Sequence, residues 1–200
     1  IPASGLNTDR LRAYLAYCCE KLRLTEATLH SRINAIKFYY EQVLHQDQIM
    51  LHVPRPKKPK KLPKYLTTLE IKKILALTTN VKHRLALKLA YGMGLRVSEI
   101  VNLKLEHIDS RARRVHIVYA KGKKDRYLPL PETCFEDLKV YYHTYRPMIY
   151  LFEGIPSQPY TARSVQAVFK QAMDRAKIKK KIGIHGLRHS YATHLLEAGV

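Results

Sequence analysis

The chain is organised around residues 91–100, which read Tyr-Gly-Met-Gly-Leu-Arg-Val-Ser-Glu-Ile. The two glycines interrupt a helical pattern, and a new helix is predicted from about Arg96 to Leu103. Arg96 lies in the first turn of that helix, where backbone N–H groups and the helix dipole favour an anion. Glu99, three residues on, shares its face. The stretch therefore predicts a turn that presents an arginine, with a carboxylate beside it, to a negatively charged group.

Two later segments carry related chemistry. Residues 120–126 read Ala-Lys-Gly-Lys-Lys-Asp-Arg. Residues 120–125 form the polar turn of a predicted β-hairpin, and Arg126 begins its second strand, because alternating apolar residues flank the turn on both sides. Residues 185–189 read His-Gly-Leu-Arg-His and open a predicted last helix, which extends to about Ala198. His185 and Arg188 lie three residues apart on that helix, so both can face one cleft.

Four side chains from these segments suit a single phosphate site: Arg96, Arg188, Lys121 and His185. A guanidinium binds two phosphate oxygens at once, which a lysine cannot do. Together the four groups would stabilise the additional charge of a five-coordinate phosphorus. The sequence offers no carboxylate cluster for a pair of metal ions, so we expect phosphoryl transfer with no metal and no cofactor. Each segment alone is more commonly a surface arginine, an incidental helix pair or a solvated hairpin tip, and only the combination carries the prediction.

Charge is the outlying feature of the composition. The 200 residues contain 36 Lys and Arg against 16 Asp and Glu, a formal net charge of +20. A domain this basic usually binds a polyanion, most often nucleic acid, although a ribosomal or membrane-surface protein is the alternative. Hydrophobic residues make up 46%, enough for a packed core. Three cysteines form neither a disulfide framework nor a zinc motif, and no apolar run is long enough to span a membrane, so an intracellular protein is expected.

The chain divides at a proline-rich basic segment. Residues 54–64 contain four prolines and six positive charges, so they should be extended and cannot bury a core. We predict a helical domain over 1–53, a basic linker over 54–64 and a second domain over 65–200. The linker is either a solubilising spacer or a strap along DNA phosphates, and we favour the strap. The fold class is mainly α with a small antiparallel β-sheet (α+β).

Two helices are predicted in the first domain. The first spans 8–22 with Thr8 as its N-cap. The second begins after Thr25 and places Ile33 and either Val43 or Leu44 inward. Its polar face could be a solvated surface or a DNA contact, with no reason to prefer either. The candidate DNA-binding residues of the whole chain are Arg32, Lys37, Lys57, Lys58, Lys60, Lys61, Lys64, Lys123, Lys124 and Arg126.

Local capping signals predict the helix starts of the second domain. Thr67 and Glu70 have the spacing of a capping box. Asn80 and Thr161 can each cap a further helix, and Pro131 suits the first turn of another.

The three motifs together resemble those of the tyrosine recombinases, in particular the Xer and mobile-element integrase branch. The matching segments are Gly94 to Glu99, Lys121 to Arg126 followed by Leu-Pro-Leu, and His185 to Leu196. The resemblance covers nearly the whole chain. It identifies 1–53 as part of a helical, SAM-like core-binding domain and 65–200 as a catalytic domain.

The resemblance implies a role for each site residue. Arg96 and Arg188 would clamp the scissile phosphate, and Glu99 would support Arg96. Lys121 would protonate the departing 5′ oxygen, and His185 would assist by hydrogen bonding or proton transfer. A tyrosine nucleophile would form a 3′-phosphotyrosyl link, so neither ATP nor a metal is required. His189 matches a recurring histidine, for which we favour a helix-packing role.

The resemblance also implies which partners this protein binds and where its nucleophile lies. The resemblance implies double-stranded DNA at specific recombination sites, a dimer on each site, a tetramer in synapsis and no membrane. The family's tyrosine follows the His-x-x-Arg helix by several dozen residues, so we expect this sequence to be truncated before it and not to cleave alone. We also expect a bacterial cytoplasmic location at the nucleoid. The alternatives are a non-cleaving DNA-binding family member, a type IB topoisomerase-like enzyme and a basic nucleoid protein.

Overall fold

The structure, a computed structural model, describes residues 7–45, 64–120 and 124–199. The chain forms two compact units, residues 1–62 and 63–200. Lys124 is described only as backbone of a strand. Several lysines singled out above lie outside the described residues: Lys57, Lys58, Lys60, Lys61, Lys121 and Lys123.

The described residues form eight α-helices and one three-stranded sheet, which confirms the predicted α+β class. The helices are α1 (Thr8–Glu20), α2 (Glu26–Phe38), α3 (Thr68–Ala76), α4 (Val81–Gly92), α5 (Val97–Val101), α6 (Glu132–Tyr145), α7 (Ala162–Arg175) and α8 (His185–Glu197). The strands are β1 (Ile108–Asp109), β2 (Arg114–Ala120) and β3 (Lys124–Pro129). No helix among these residues has the length and apolar character that crossing a bilayer requires.

The first unit packs α1 against α2. Leu11, Leu15 and Cys18 are buried on one face of α1, as the helical spacing predicts. The prediction that Thr8 caps α1 is wrong. Asn7 is the N-cap, and its Oδ1 accepts the Arg10 N–H at 3.0 Å, because Thr8 is already helical.

The second helix continues into a π-helical turn. Thr25 caps α2 as predicted, with its Oγ1 accepting the Thr28 N–H at 3.3 Å. Ile33 is buried as predicted; of the two later alternatives, Val43 is 53% exposed and Leu44 is partly buried. Residues 39–43 form a π-helix, which places more residues in each turn and rotates Val43 away from the apolar face.

Local capping builds the second unit as predicted. Thr67 and Glu70 form a capping box at α3, and Asn80 and Thr161 cap α4 and α7 through side-chain oxygens. Pro131 occupies the N-cap of α6 rather than its first turn. A single buried cluster spans the helices and the sheet; its fully buried large side chains include Leu66, Ile74, Leu85, Leu87, Ile100, Leu151, Phe152 and Phe169.

The predicted hairpin is confirmed as β2 and β3, and the two-residue β1, which the sequence pattern did not indicate, adds an edge. Val115 and Ile117 of β2 are buried against the core. Arg126 pairs directly with Ile117 in the antiparallel register. Directly opposed residues share a face of a sheet, so the register turns Arg126 towards the interior.

Helix α5 is shorter than the predicted span to Leu103. It ends at Val101, and Arg96 is its N-cap rather than a residue of its first turn. The chain leaves the helix because the Leu103 carbonyl accepts the Leu151 N–H at 2.7 Å and the Leu105 N–H donates to Ile149 at 3.0 Å. These bonds fix α5 as one short turn whose start carries Arg96.

Candidate functional site

The turn that leads into α5 requires a glycine. Gly94 has φ +58°, in the left-handed region. A Cβ at this position would lie 2.6 Å from Cδ1 of Tyr191 on α8, well inside van der Waals contact. The turn directs Leu95 into the core, where it is 2% exposed, and leaves Arg96 at the helix start.

Glu99 is the centre of the site. Its Oε2 accepts the backbone N–H of Arg96 at 2.9 Å, and its Oε1 accepts Nη1 of the same arginine at 2.8 Å. Arg126 donates Nη1 to Oε1 at 3.2 Å and Nη2 to Oε2 at 2.9 Å. One carboxylate whose side chain is 7% exposed therefore holds two guanidinium groups and the start of α5.

The environment keeps Glu99 ionised. Burial alone would raise its pKa, but the hydrogen bonds from Arg126 and from the backbone and side chain of Arg96 outweigh burial and hold the pKa below its ordinary value. The predicted anion-attracting start of α5 is thus already occupied by the protein's own carboxylate. An external anion must instead be bound by the arginine side chains.

Arg188 joins this cluster from α8. Its Nη1 donates to the carbonyl of Gly94, in the turn just before Arg96. Burial lowers the pKa of Arg188, and the positive charge of Arg96 lowers it further. Two guanidinium groups, those of Arg96 and Arg126, therefore bind one carboxylate, and a third, that of Arg188, lies near enough for its pKa to respond to all three. This excess of positive charge favours an anion that accepts several hydrogen bonds, such as a phosphate.

The two histidines of the motif lie on the outside of α8. His185 and His189 are both exposed and four residues apart, which puts them on one face of the helix. The helix-packing role favoured for His189 is therefore wrong; α8 buries Gly186, Leu187 and Ser190 instead. His185, three residues before Arg188, borders a groove of about 550 Å³ between α7 and residues 178–184.

In the first unit, the candidate DNA-binding residues have partners within the protein. Arg32 donates Nη1 to the Tyr14 hydroxyl at 2.6 Å and to Cys18 Sγ at 3.3 Å, which links α2 to α1. Lys37 lies 3.3 Å from Glu41 on its own helical face. Lys64, at the start of the second unit, is exposed.

The sequence did not predict the contacts that Arg126 makes within the protein. Both of its terminal nitrogens bind Glu99, whereas its contact with DNA stays a prediction. A signal was present in the sequence, because Arg126 shares its phase in the alternating strand with Leu128 and the buried Leu130. A charged residue in an apolar phase indicates an inward side chain with a buried partner.

The part of the chain that the structure describes contains no group of three or more His, Cys, Asp or Glu side chains that could hold a metal ion.

Comparison with known proteins places this arrangement in a family. Residues 64–200 match the phage integrase family. A putative integrase/recombinase, y4eF, of Sinorhizobium fredii is 35% identical over 196 residues, which cover 97% of this chain and 78% of the relative. The tyrosine recombinase XerA of Pyrococcus horikoshii is 37% identical over 178 residues, covering 86% of this chain and 61% of the relative.

The fold comparison agrees with the sequence comparison. The structure of the Tn1549 transposon integrase in complex with transposon right end DNA has a TM-score of 0.81 at 17% identity, covering all of this chain and 76% of the integrase. At that identity the likeness establishes the fold. The chain spans between 61% and 78% of the length of these relatives.

Proposed function

This chain belongs to the phage integrase family, the tyrosine-type site-specific recombinases, and we propose that it binds and activates a DNA phosphate for cleavage and rejoining through a 3′-phosphotyrosyl intermediate. The observation that carries the proposal is the cluster of Arg96, Arg126 and Arg188 around Glu99. Such an arrangement has an excess of positive charge before substrate arrives, so it needs no reorganisation when the transition state forms.

Arg96 and Arg188 would clamp the non-bridging oxygens of the scissile phosphate. Glu99 fixes Arg96 through one Nη1 bond at 2.8 Å, so the other nitrogens of that guanidinium remain for the phosphate. The partly buried Arg188 lies among like charges, as its lowered pKa indicates, and a bound phosphate would offset both the burial and the repulsion.

The proton and the nucleophile are proposed from the resemblance. A tyrosine hydroxyl gives up its proton, with His185 as the acceptor, while its oxygen attacks phosphorus. The bond to the 5′ oxygen breaks, and Lys121 gives that oxygen its proton. The phosphotyrosyl link retains the energy of the phosphodiester, so neither ATP nor a metal is needed. Tyr91 and Tyr191 are unsuitable nucleophiles because both are partly buried with their rings packed together, burial raises the pKa of Tyr91, and the ring of Tyr191 packs against Gly94. We propose that the nucleophile is a tyrosine outside these 200 residues.

The partners follow from the same proposal. Residues 1–53 would be the core-binding domain, residues 54–64 a basic strap, and residues 65–200 the phosphate-binding part of the catalytic domain. The net charge of +20 supports double-stranded DNA as the ligand, as does the DNA bound to the Tn1549 integrase. We propose a dimer on each recombination site and a tetramer in synapsis.

The experiment is a cleavage assay of the full-length protein on a nicked suicide DNA site. Arg188→Ala should reduce the covalent protein–DNA complex by about 100-fold or more, while site affinity changes by less than about threefold. Arg163→Ala, which removes an exposed arginine from α7, is the matched control and should cleave normally. Equal losses of binding and cleavage in Arg188→Ala would disprove the clamp. A wild-type protein that binds the site without a covalent complex would support the alternative, a non-cleaving family member.

A further inference from the structure

Arg126 and Glu99 form a two-pronged ion pair between β3 and α5. The two N–O distances are 3.2 and 2.9 Å, and the side chains are 30% and 7% exposed. Parallel N–H···O bonds of this kind use the edge of the guanidinium that would otherwise grip a phosphate. Arg126 is therefore directed at the protein's own carboxylate.

The pair has a second effect through Glu99. Each carboxylate oxygen is shared, because Oε1 also accepts Nη1 of Arg96 and Oε2 also accepts the Arg96 backbone N–H. A rotation of the carboxylate away from Arg126 would thus disturb both the side chain and the backbone of Arg96. The position of one clamp arginine depends on a residue of the hairpin.

The charge of Arg126 also affects how firmly Glu99 holds Arg96. Burial raises the pKa of Glu99, and Arg126 is the first of the groups that lower it. Without Arg126, Glu99 would hold a proton more readily, and a protonated carboxyl group has only one oxygen left as a full acceptor. It would then hold Arg96 less firmly.

We propose that Arg126 is a positioning residue for DNA cleavage, which acts through Glu99 to fix Arg96 and ties β3 to the start of α5. The inference rests on the proposed function, since it assigns Arg126 to the same phosphate site. It assigns the residue no direct contact with DNA. Because β3 follows Lys121 closely in the chain, the same tie links the hairpin that carries the proposed acid to the clamp.

The test compares Arg126→Lys and Arg126→Gln in the full-length protein, with single-turnover cleavage and site affinity measured on the same suicide DNA. A lysine keeps the charge but cannot make the two-pronged bond. Both variants should cleave at least about 30-fold more slowly, with affinity within about threefold and an unchanged dependence of affinity on salt. If Arg126 instead binds a phosphate, affinity should fall, the salt slope should drop by about one, and Arg126→Lys should resemble the wild type.

A pH profile distinguishes positioning from a general loss of structure. In Arg126→Gln the pKa of Glu99 rises, so cleavage should decline on acidification at a higher pH than in the wild type. A purely structural defect would lower cleavage equally at every pH. The double variant Glu99→Gln/Arg126→Gln should be no slower than the slower single variant, because both changes remove one interaction. Additive losses would overturn the proposal.

Arg114→Gln is the matched control. Arg114 lies on the neighbouring strand β2, pairs with Asp109 at 3.3 Å and stacks over Tyr127, so it is a strand arginine in a more exposed, single-bonded ion pair away from Glu99. It should cleave at the wild-type rate.

If Arg126→Gln fails to fold, Arg126→Lys decides the question. Wild-type protein that does not cleave would refute the proposed function, whereas normal cleavage by Arg126→Lys beside an active wild type would refute this inference alone.

Discussion

Helices α3 and α5 begin with the same spacing and use it differently. In α3, Glu70 accepts the N-cap N–H of Thr67 at 2.8 Å, and the threonine hydroxyl accepts the Glu70 N–H at 3.3 Å, which closes a capping box. In α5, Glu99 accepts the N-cap N–H of Arg96 at 2.9 Å. A guanidinium carries no acceptor, however, so Arg96 cannot return the bond and donates to Glu99 instead. The same local motif stabilises a helix start in one place and orients a cation in the other.

The two glutamates also differ in the second side chain that each of them binds. Glu70, with a side chain 24% exposed, binds the single ammonium of Lys180 at 2.7 Å. Glu99, only 7% exposed, binds the fork of Arg126. An exposed lysine pair contributes about 0–1 kcal/mol, whereas removal of one partner from a buried pair costs about 3–5 kcal/mol. Disruption at α5 should therefore affect both stability and chemistry, and disruption at α3 only stability.

The largest effect is expected at the approach to α5. Gly94→Ala forces a side chain into left-handed backbone, which costs about 1–2 kcal/mol, and pushes its Cβ against Tyr191. Because Gly94 also accepts the bond from Arg188, cleavage should be lost to below about one part in a thousand. Urea unfolding and the suicide-substrate assay measure the two losses.

Gly183→Ala is the control for Gly94→Ala. A Cβ at Gly183 would meet nothing within 4 Å, so its stability should change by less than about 0.5 kcal/mol. Normal cleavage by Gly94→Ala would show that the turn does not set the position of the clamp.

The next effect comes from neutralising each glutamate in turn. Glu99→Gln leaves Arg96 and Arg126 without a balancing charge, and cleavage should fall by about 100-fold. Glu70→Gln removes a partner of Lys180, and neither residue takes part in the hydrogen bonds around Glu99. Cleavage should stay within about twofold while the melting temperature falls by a few degrees. Equal cleavage losses in the two variants would mean that both helix starts serve only stability.

Lowering the pH should reduce the stability of the protein as Glu99 and Glu70 are protonated. The pKa of Glu99 is lowered in spite of burial, by its arginine partners, and the pKa of Glu70 is lowered in spite of burial by Lys180 and Thr67. A lowered folded-state pKa adds stability above the unfolded value, and that stability is lost as pH falls through the folded value. The unfolding free energy should thus decline as pH falls below the ordinary glutamate pKa of 4.5. The decline should be shallower in Glu99→Gln; an unchanged slope would contradict the assignment.

Sequence reasoning succeeded where the determining contacts are local. The Thr67–Glu70 box, the Asn80 and Thr161 caps and the hairpin depend on residues within a few positions of one another, and the structure confirms them. The presence of Arg96 beside Glu99 was likewise predictable from a spacing of three residues.

It failed where the determining contact is distant in sequence. The end of α5 depends on backbone bonds from Leu103 to Leu151, and the partner of Glu99 is 27 residues away at Arg126. No local pattern encodes either contact. Arg126 was predicted to be one more DNA-binding cation of a basic hairpin, although its phase in the strand is that of the buried Leu130.

The smallest expected effect concerns the ion pair between Lys180 and Glu70 of α3, and whether it persists when DNA is bound. Lys180 is bound to Glu70 and to the Tyr65 carbonyl, whereas its neighbours Lys179 and Lys181 are exposed beside the groove that His185 borders. Lys179→Ser combined with Lys181→Ser should weaken site affinity several-fold and lower the salt slope by about one to two, since each phosphate contact contributes about 0.9. Lys180→Ser should leave the slope unchanged and lower the melting temperature by only a few degrees, because an exposed ion pair contributes about 0–1 kcal/mol. The reverse pattern would show that Lys180 leaves Glu70 for a phosphate. In that case the contrast between α3 and α5 would hold for the free protein and disappear on DNA.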